Sequence, residues 1–305
     1  MNFTDISIIT INYNTSSLTK NFILSVEKCT SESLKIEFIV IDNCSGVNDY
    51  KKLEKDIKEL NNQNIKLLRS NINLGFGGGN MLGTQYASGK YLAFINNDIL
   101  FTEDCFSSLI RYHENNAKCG VSTPQQYNIN NEPTSSFDYF HGIRKELFGR
   151  KLVELTSDRI KREKKHYKDS VIVDFIQGCF MFFPTSVFAE IGGYDTNLFL
   201  YYEEMDVCYR LNNKGYTSVL VPETSFQHLH GASTPKSFLI KKELKISQLY
   251  ISRKNHYYLK HLIIRFSILL KTFFKPKYWG LIPILITGKY LENSLKQSQQ
   301  MVFNK

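Results

Sequence analysis

Ile6-Ser-Ile-Ile-Thr-Ile-Asn12 and Ile36-Glu-Phe-Ile-Val-Ile-Asp42 are two short runs rich in β-branched residues, each closing on a polar side chain. Two more runs follow, Ile65 to Ser70 and Tyr91 to Asn97, and both again end in polar residues. Between the first and second, Leu18, Phe22 and Val26 recur at helical spacing; between the second and third, Tyr50, Leu53, Ile57 and Leu60 do the same. Strands alternating with amphipathic helices predict an α/β fold in which a mostly parallel central sheet is flanked by helices. Such a sheet gathers ligand chemistry at the carboxyl ends of its strands, where Asn12, Asp42 and Asp98 sit.

The 305 residues fit one large domain over 1–236 and a helical appendage over 237–305, since 42% hydrophobic and 13% aromatic content can bury a large core. Met1 to Asp5 has no basic leader, and the apolar run from Ile6 to Ile11 is short and interrupted, so a cytoplasmic protein is expected. The six cysteines have no metal-ligand spacing, which excludes a zinc site and a disulfide framework as organising features. The net charge of +9 is unevenly placed. From Lys236 to Lys305 there are fourteen Lys or Arg against Glu243 and Glu292, so a slightly acidic body carries a strongly basic tail. Within that tail Leu259 to Phe274 is broken by Lys260, His261, Arg265 and Lys271, and Tyr278 to Gly288 contains Pro283. Neither segment suits a membrane span. Both suit an amphipathic, basic region lying on an anionic membrane surface. Arg150 to Lys168, rich in Lys and Arg, reads as a mobile loop. Strand signals resume over Val171 to Pro184 and Thr217 to Val221.

Four constellations carry chemistry. Asn73-Leu-Gly-Phe-Gly-Gly-Gly-Asn80 lies between a strand and a helix expected to begin near Asn80, where backbone amides can approach a diphosphate. It lacks the Gly-Lys-Ser/Thr of a Walker loop and follows the third strand, out of place for a dinucleotide site. Asn96-Asn97-Asp98 ends an apolar strand and offers a carboxylate to Mg²⁺ or Mn²⁺. Phe199-Leu-Tyr-Tyr-Glu-Glu-Met-Asp206 sets three carboxylates behind aromatic residues, where one can accept a proton. His228-Leu-His-Gly-Ala-Ser-Thr234 offers an imidazole that can join Asp98 on a metal.

Taken in order, these stretches resemble family 2 glycosyltransferases of the GT-A (nucleotide-diphospho-sugar transferase) fold, especially the bacterial rhamnosyltransferase-like branch. The resemblance runs from Ile6 to about Asn255 and rests also on Thr10-Ile-Asn-Tyr-Asn14, Val40-Ile-Asp-Asn43, Gly178 with Met181, Gly193-Tyr-Asp195, Arg210 and Gly215. It implies that Asn12, Asn14, Asp42, Asn73, Gly75, Gly77, Asn80 and Asn97 bind the nucleotide donor, with Asp42 accepting a hydrogen bond from a pyrimidine imide. It implies a metal on Asp98 and His228, since Asn96 replaces the first carboxylate of the family's DXD motif. Glu204 stands where the family has the Asp of its Glu-Asp motif and is the implied base, with Glu203 the alternative.

The implied reaction is an inverting single displacement by a hexosyltransferase. Its donor is a nucleoside-diphosphate sugar, dTDP-L-rhamnose favoured over UDP-hexose or UDP-N-acetylhexosamine. Its acceptor is a hydroxyl of a polyprenyl-linked saccharide in O-antigen or capsule polysaccharide biosynthesis, at the inner face of the cell membrane. A basic nucleic-acid-binding protein is the reading from another class. The acidic body and the absence of a recognised motif speak against a nucleic-acid partner.

Overall fold

A computed structural model describes residues 4–229 and 237–302. The chain opens with β1 (Ile6–Asn12), α1 (Ser16–Cys29), β2 (Ile36–Asp42), α2 (Val47–Leu60), β3 (Ile65–Arg69), α3 (Gly75–Thr84) and β4 (Tyr91–Ile95). β1 lies parallel to β2 in register from Ile6 opposite Ile36 to Asn12 opposite Asp42, so the polar ends of both strands emerge together. Next come β5 (Ile99–Phe101), α4 (Cys105–Asn115), β6 (Cys119–Tyr127), β7 (Phe137–Asp138), α5 (Ile143–Phe148), α6 (Arg150–Leu155), β8 (Val171–Val173), β9 (Phe175–Ile176) and β10 (Phe180–Pro184). The chain continues through α7 (Thr185–Glu190), α8 (Glu203–Asn213), β11 (Thr217–His228), α9 (Phe238–Asn255), α10 (Tyr258–Phe273) and α11 (Ile282–Thr287).

The main sheet has the order β3-β2-β1-β4-β10-β6-β11-β5, with β8 on β11. β10 runs antiparallel to both β4 and β6. β6 therefore points the same way as β4, and β11 follows β6 in parallel. The sheet is mostly parallel, as its covered faces require. Along the strands, Ile8, Val40 and Ala93 pack with Phe22 and Val26 of α1 and Phe106 of α4. Their neighbours Ile9, Ile39, Ile41 and Phe94 pack on the other face with Phe188, Tyr194 and Val207. Asp104 caps α4 by accepting from the Phe106 and Ser107 amides.

Two expectations are corrected. The glycine stretch is a helix from Gly75 onward, where a loop up to Asn80 was expected. Its glycines serve close packing: a Cβ on Gly83 would lie 2.6 Å from Ile9 Cγ2, so only a bare backbone lets α3 settle on the sheet. The segment from Arg150 to Lys168 begins as helix α6. Its later part is pinned by Tyr167, whose hydroxyl donates to Lys161 O at 2.8 Å and whose ring packs on Phe137. Buried tyrosines with satisfied hydroxyls anchor a chain whose charged composition alone suggests none.

The carboxy-terminal region docks on the sheet-bearing body. Ile251 of α9 joins the core face that contains Phe94. Tyr250 and Lys254 reach Asp195 at 2.9 and 2.7 Å, and Ser247 Oγ donates to Leu200 O at 2.8 Å. Leu249, Ile264, Ile268, Ile284 and Leu285 form a separate core among the tail helices. Among the described residues no helix is long and apolar enough to cross a membrane.

Candidate active site

The carboxyl ends of the strands open into a cavity of about 850 Å³. One side is built by β1, β2, α3 and the end of β4. There Asn43 donates to Asn73 Oδ1 at 3.0 Å and to Gly75 O at 3.1 Å while accepting from the Leu74 amide at 2.9 Å. This stitches the turn before α3 to the end of β2. Gly75 has φ +73°, and a Cβ on it would come within 2.1 Å of Phe199 O, so the position admits glycine alone. Asn97 donates to Thr15 Oγ1 at 2.7 Å and Thr19 Oγ1 at 2.8 Å, fixing the turn after β4 to the start of α1.

The opposite side is led by the first turn of α8. Tyr201 and Tyr202 precede it with φ of +73° and +72°, two consecutive bulky residues in the left-handed region. Such conformations persist only when their surroundings over-determine them. Here Phe76 N donates to Phe199 O at 2.8 Å and Ser247 Oγ holds Leu200 O, so the chain entering the turn is clamped from both sides. The clamp delivers Glu203 and Glu204 to the cavity wall. Glu203 is 1% exposed, and burial together with the neighbouring Glu204 raises its carboxyl well above the usual range. Burial also raises Glu204, to about 7, with Asp138 adding to it. A carboxyl poised there can take a proton near neutral pH. The third acid, Asp206, is paired with Arg210 at 2.9 Å and Lys254 at 2.8 Å and faces away from this task.

Asp98, in the turn between β4 and β5, meets His228 at the end of β11, with Oδ1 and Nε2 3.2 Å apart and both residues buried. His228 Nδ1 lies 3.1 Å from Gln126 Nε2. Burial opposes a charged imidazole, but Cys179 and Asp98 outweigh it and raise His228 to about 10. Asp98 and, once its proton is displaced, the His228 imidazole offer one oxygen and one nitrogen to a Mg²⁺ or Mn²⁺ ion whose remaining ligands would be phosphate oxygens and water. Among the described residues no group of three or more His, Cys, Asp or Glu could hold a metal unaided. His230 to Thr234 of the same motif lie outside the described residues.

Of the residues singled out from the sequence, Asn73, Gly75, Asn97, Glu203 and Glu204 line the cavity together. Asp98 and His228 stand next to its lining residues Asn97 and Cys179 without lining it themselves. Asn12 is fully buried, its amide donating to Asp42, Ser45 and Asp49 at 3.0 Å each, and Asp42 is spent on Asn12 and Arg69. Asn14 accepts from Gly46 N at 2.8 Å. Gly77 packs near Glu203 Cγ, and Asn80 is buried in α3. These five brace the rim, while Tyr13, Thr15 and Asn43 beside them reach the cavity.

Sequence reasoning missed the far wall: Asp138, His141, Lys145 and Gln177. Lys145 pairs with Asp138 at 3.0 Å, and burial lowers its pKa. His141 Nε2 sits 3.0 Å from Glu146. Burial would raise Glu146, but His141 and Lys271 prevail and hold it down at about 2. Also missed were Ile240, Leu244, Leu295 and Gln299 of the tail. The one available signal was spacing, since Ile240 and Leu244, like Leu295 and Gln299, are four residues apart.

The model of glycosyl transferase family 2 matches residues 7–192. The chain is 30% identical over 196 residues to the rhamnosyltransferase WbbL of Escherichia coli (strain K12), covering 59% of this chain and 71% of that one. It is 25% identical over 218 residues to the low-salt glycan biosynthesis hexosyltransferase Agl10 of Haloferax volcanii, covering 68% of this chain and 61% of that one. Among solved structures, GalNAc-T7 with UDP, GalNAc and Mn²⁺ superposes with a TM-score of 0.59 at 17% identity, over 81% of this chain and 48% of that chain. The mannosyltransferase PcManGT from Pyrobaculum calidifontis, in complex with GDP-Man and Mn²⁺, gives 0.55 at 13% identity, over 95% and 70%.

Proposed function

The chain belongs to glycosyltransferase family 2 and has the GT-A fold, and from that premise we propose that it transfers a sugar with inversion from a nucleoside-diphosphate donor to a saccharide hydroxyl. The observation that carries the reading is the cavity itself. The glycine-gated rim of Asn43, Asn73 and Gly75 lies on one side and Glu204, with its carboxyl near 7, on the other. The rim receives the donor. Glu204 takes the proton from the acceptor hydroxyl as its oxygen attacks the anomeric carbon, and Glu203, held neutral by burial, adds no charge to repel the leaving diphosphate. Asp98 and His228 would hold a divalent cation, which when bound supplies positive charge to the departing diphosphate. Both similar folds carry Mn²⁺, which supports a divalent cation in this reading.

dTDP-L-rhamnose is the favoured donor because the relative at 30% identity is named a rhamnosyltransferase, and a UDP-hexose is the alternative because the other is named a hexosyltransferase. The acceptor is a lipid-linked saccharide of cell-surface polysaccharide synthesis at the cytoplasmic face of the membrane. Support comes from α10, which turns Leu259, Ile263, Phe266, Leu270 and Phe273 outward along one face in a region dense with lysine and arginine. A solvent-facing apolar stripe among cations suits peripheral binding to anionic lipid.

Hydrolysis of dTDP-rhamnose, UDP-hexoses and UDP-N-acetylhexosamines, each with Mg²⁺, Mn²⁺ or chelator, tests the reading. Release of nucleoside diphosphate from one donor, abolished by chelator and by Asp98→Ala, is expected. Full turnover in excess chelator would remove the metal from the scheme, and inertness toward every donor would remove the activity.

A further inference from the structure

The first turn of α9 joins the inside of the cavity to the outside of the protein. Ile240 and Leu244 line the cavity wall beside Leu295. Immediately before them, Phe238 and Leu239 are 42% and 54% exposed. The Phe238 ring stacks on Tyr278 with centroids 6.4 Å apart, and the adjacent Trp279 is 53% exposed. Large apolar side chains thus continue from the cavity wall to the surface, where a helix that only packed on its neighbours would present polar residues. Exposed large apolar side chains gathered at one end of a helix beside a cavity suit a binding site. Its borders are cationic: Lys241 and Lys242 follow on α9, and Lys275 and Lys277 flank the Tyr278 side, with Lys277 Nζ 5.3 Å from the Tyr278 ring centroid.

We propose that this edge is a hydrocarbon track, along which the polyprenyl chain of the acceptor passes from the cavity over Ile240, Leu239 and Phe238 to Trp279. The inference rests on the lipid-linked acceptor proposed above and says where its lipid goes. The half-buried Ile240 and Leu244 offer an alkyl chain a wall that is already partly dry, and the four lysines match the charge of a diphosphate linkage and of anionic headgroups. The tail thereby becomes half of the acceptor site as well as a membrane contact.

Farnesyl diphosphate and inorganic pyrophosphate serve as probes, titrated calorimetrically into the full chain with divalent cation present. Farnesyl diphosphate is expected to bind at least about tenfold more tightly, because its chain leaves water. Leu239→Asp, at an exposed position, is expected to erase that advantage while leaving pyrophosphate affinity, melting temperature and donor hydrolysis unchanged. Trp279, the single tryptophan of the sequence, is expected to shift its emission to the blue on anionic vesicles and to be quenched by lipids brominated on their chains. Equal affinity for the two probes, or a farnesyl advantage that survives both Leu239→Asp and Ile240→Asp, overturns the track. So does a dimer that Leu239→Asp dissociates without touching farnesyl binding, which would assign this face to a second copy of the chain. Loss of donor hydrolysis in the parent protein is a separate readout and bears on the transferase reading alone.

Discussion

The two sides of the cavity are made on opposite principles. On the proposed donor side nearly every polar group is answered: Asn12 spreads its amide over Asp42, Ser45 and Asp49, Asn43 ties Asn73 to Gly75, and Asn97 ties itself to α1. On the proposed acceptor side the chain holds unfavourable states. Tyr201 and Tyr202 sit in left-handed conformations, and Glu203 and Glu204 are carboxyls raised by burial. A binding surface gains from being fixed in advance, because fewer side chains are then left to order when the ligand arrives. A proton acceptor needs a carboxylate kept less stable than water would leave it, and that cost is carried by the packing around it.

The contrast can be broken most sharply at Glu204. Glu204→Gln is expected to lower turnover by roughly a hundredfold or more, the scale of a lost general base, while donor affinity stays within error. Activity of the parent should rise with pH through about 7, as the carboxyl loses its proton, and the variant should lose that limb. Stability gives the opposite sign. A raised carboxyl stabilises the fold below its ordinary value of 4.5 and forfeits this as pH climbs through about 7. Glu204→Gln should therefore resist denaturant better than the parent at pH 8 and equally at pH 4. If Glu203→Gln produces the rate loss and Glu204→Gln does not, the roles exchange.

Gly75→Ala strikes the donor side. Its Cβ would overlap Phe199 O and its φ is positive, so a loss of about 1–3 kcal/mol in denaturant unfolding is expected, with donor affinity falling alongside. An unchanged midpoint would mean the rim yields more easily than its hydrogen bonds suggest. The smallest effect is expected at Ser294, whose hydroxyl donates to the buried Glu243 at 2.6 Å just before Leu295 enters the cavity wall. Ser294→Ala should cost about 1 kcal/mol of stability and raise the KM for acceptor without altering donor hydrolysis. A matching change in donor hydrolysis would mean that the tail serves both sides.

How much of this was legible depended on whether a side chain's partner lay in the same local pattern. β1 and β2 were readable to the residue, because seven apolar-rich positions closing on Asn12 and Asp42 need no distant information. Glu203 and Glu204 were readable as a cluster. The helical start at Gly75 was not, since glycine is a poor helix former and only contact with Ile9 and Phe199 makes it the fitting residue. Nor was Tyr167 readable as an anchor inside a charged stretch, because its partners Phe137 and Lys161 are assembled by the fold.

Periodicity, residue type and charge within a few residues of one another suffice for the alternation of strand and helix, the polar strand ends, the carboxylate pair and the basic tail. Only the tertiary structure decided which of two adjacent polar residues reaches the cavity, as with Tyr13 and Thr15 in place of Asn12 and Asn14, and that Asp138, His141 and the tail residues Ile240, Leu244 and Leu295 close the other side. Those choices depend on burial and on contacts between segments more than a hundred residues apart, as between Gln248 and Glu146, and burial is a property of the packed molecule that no local pattern contains.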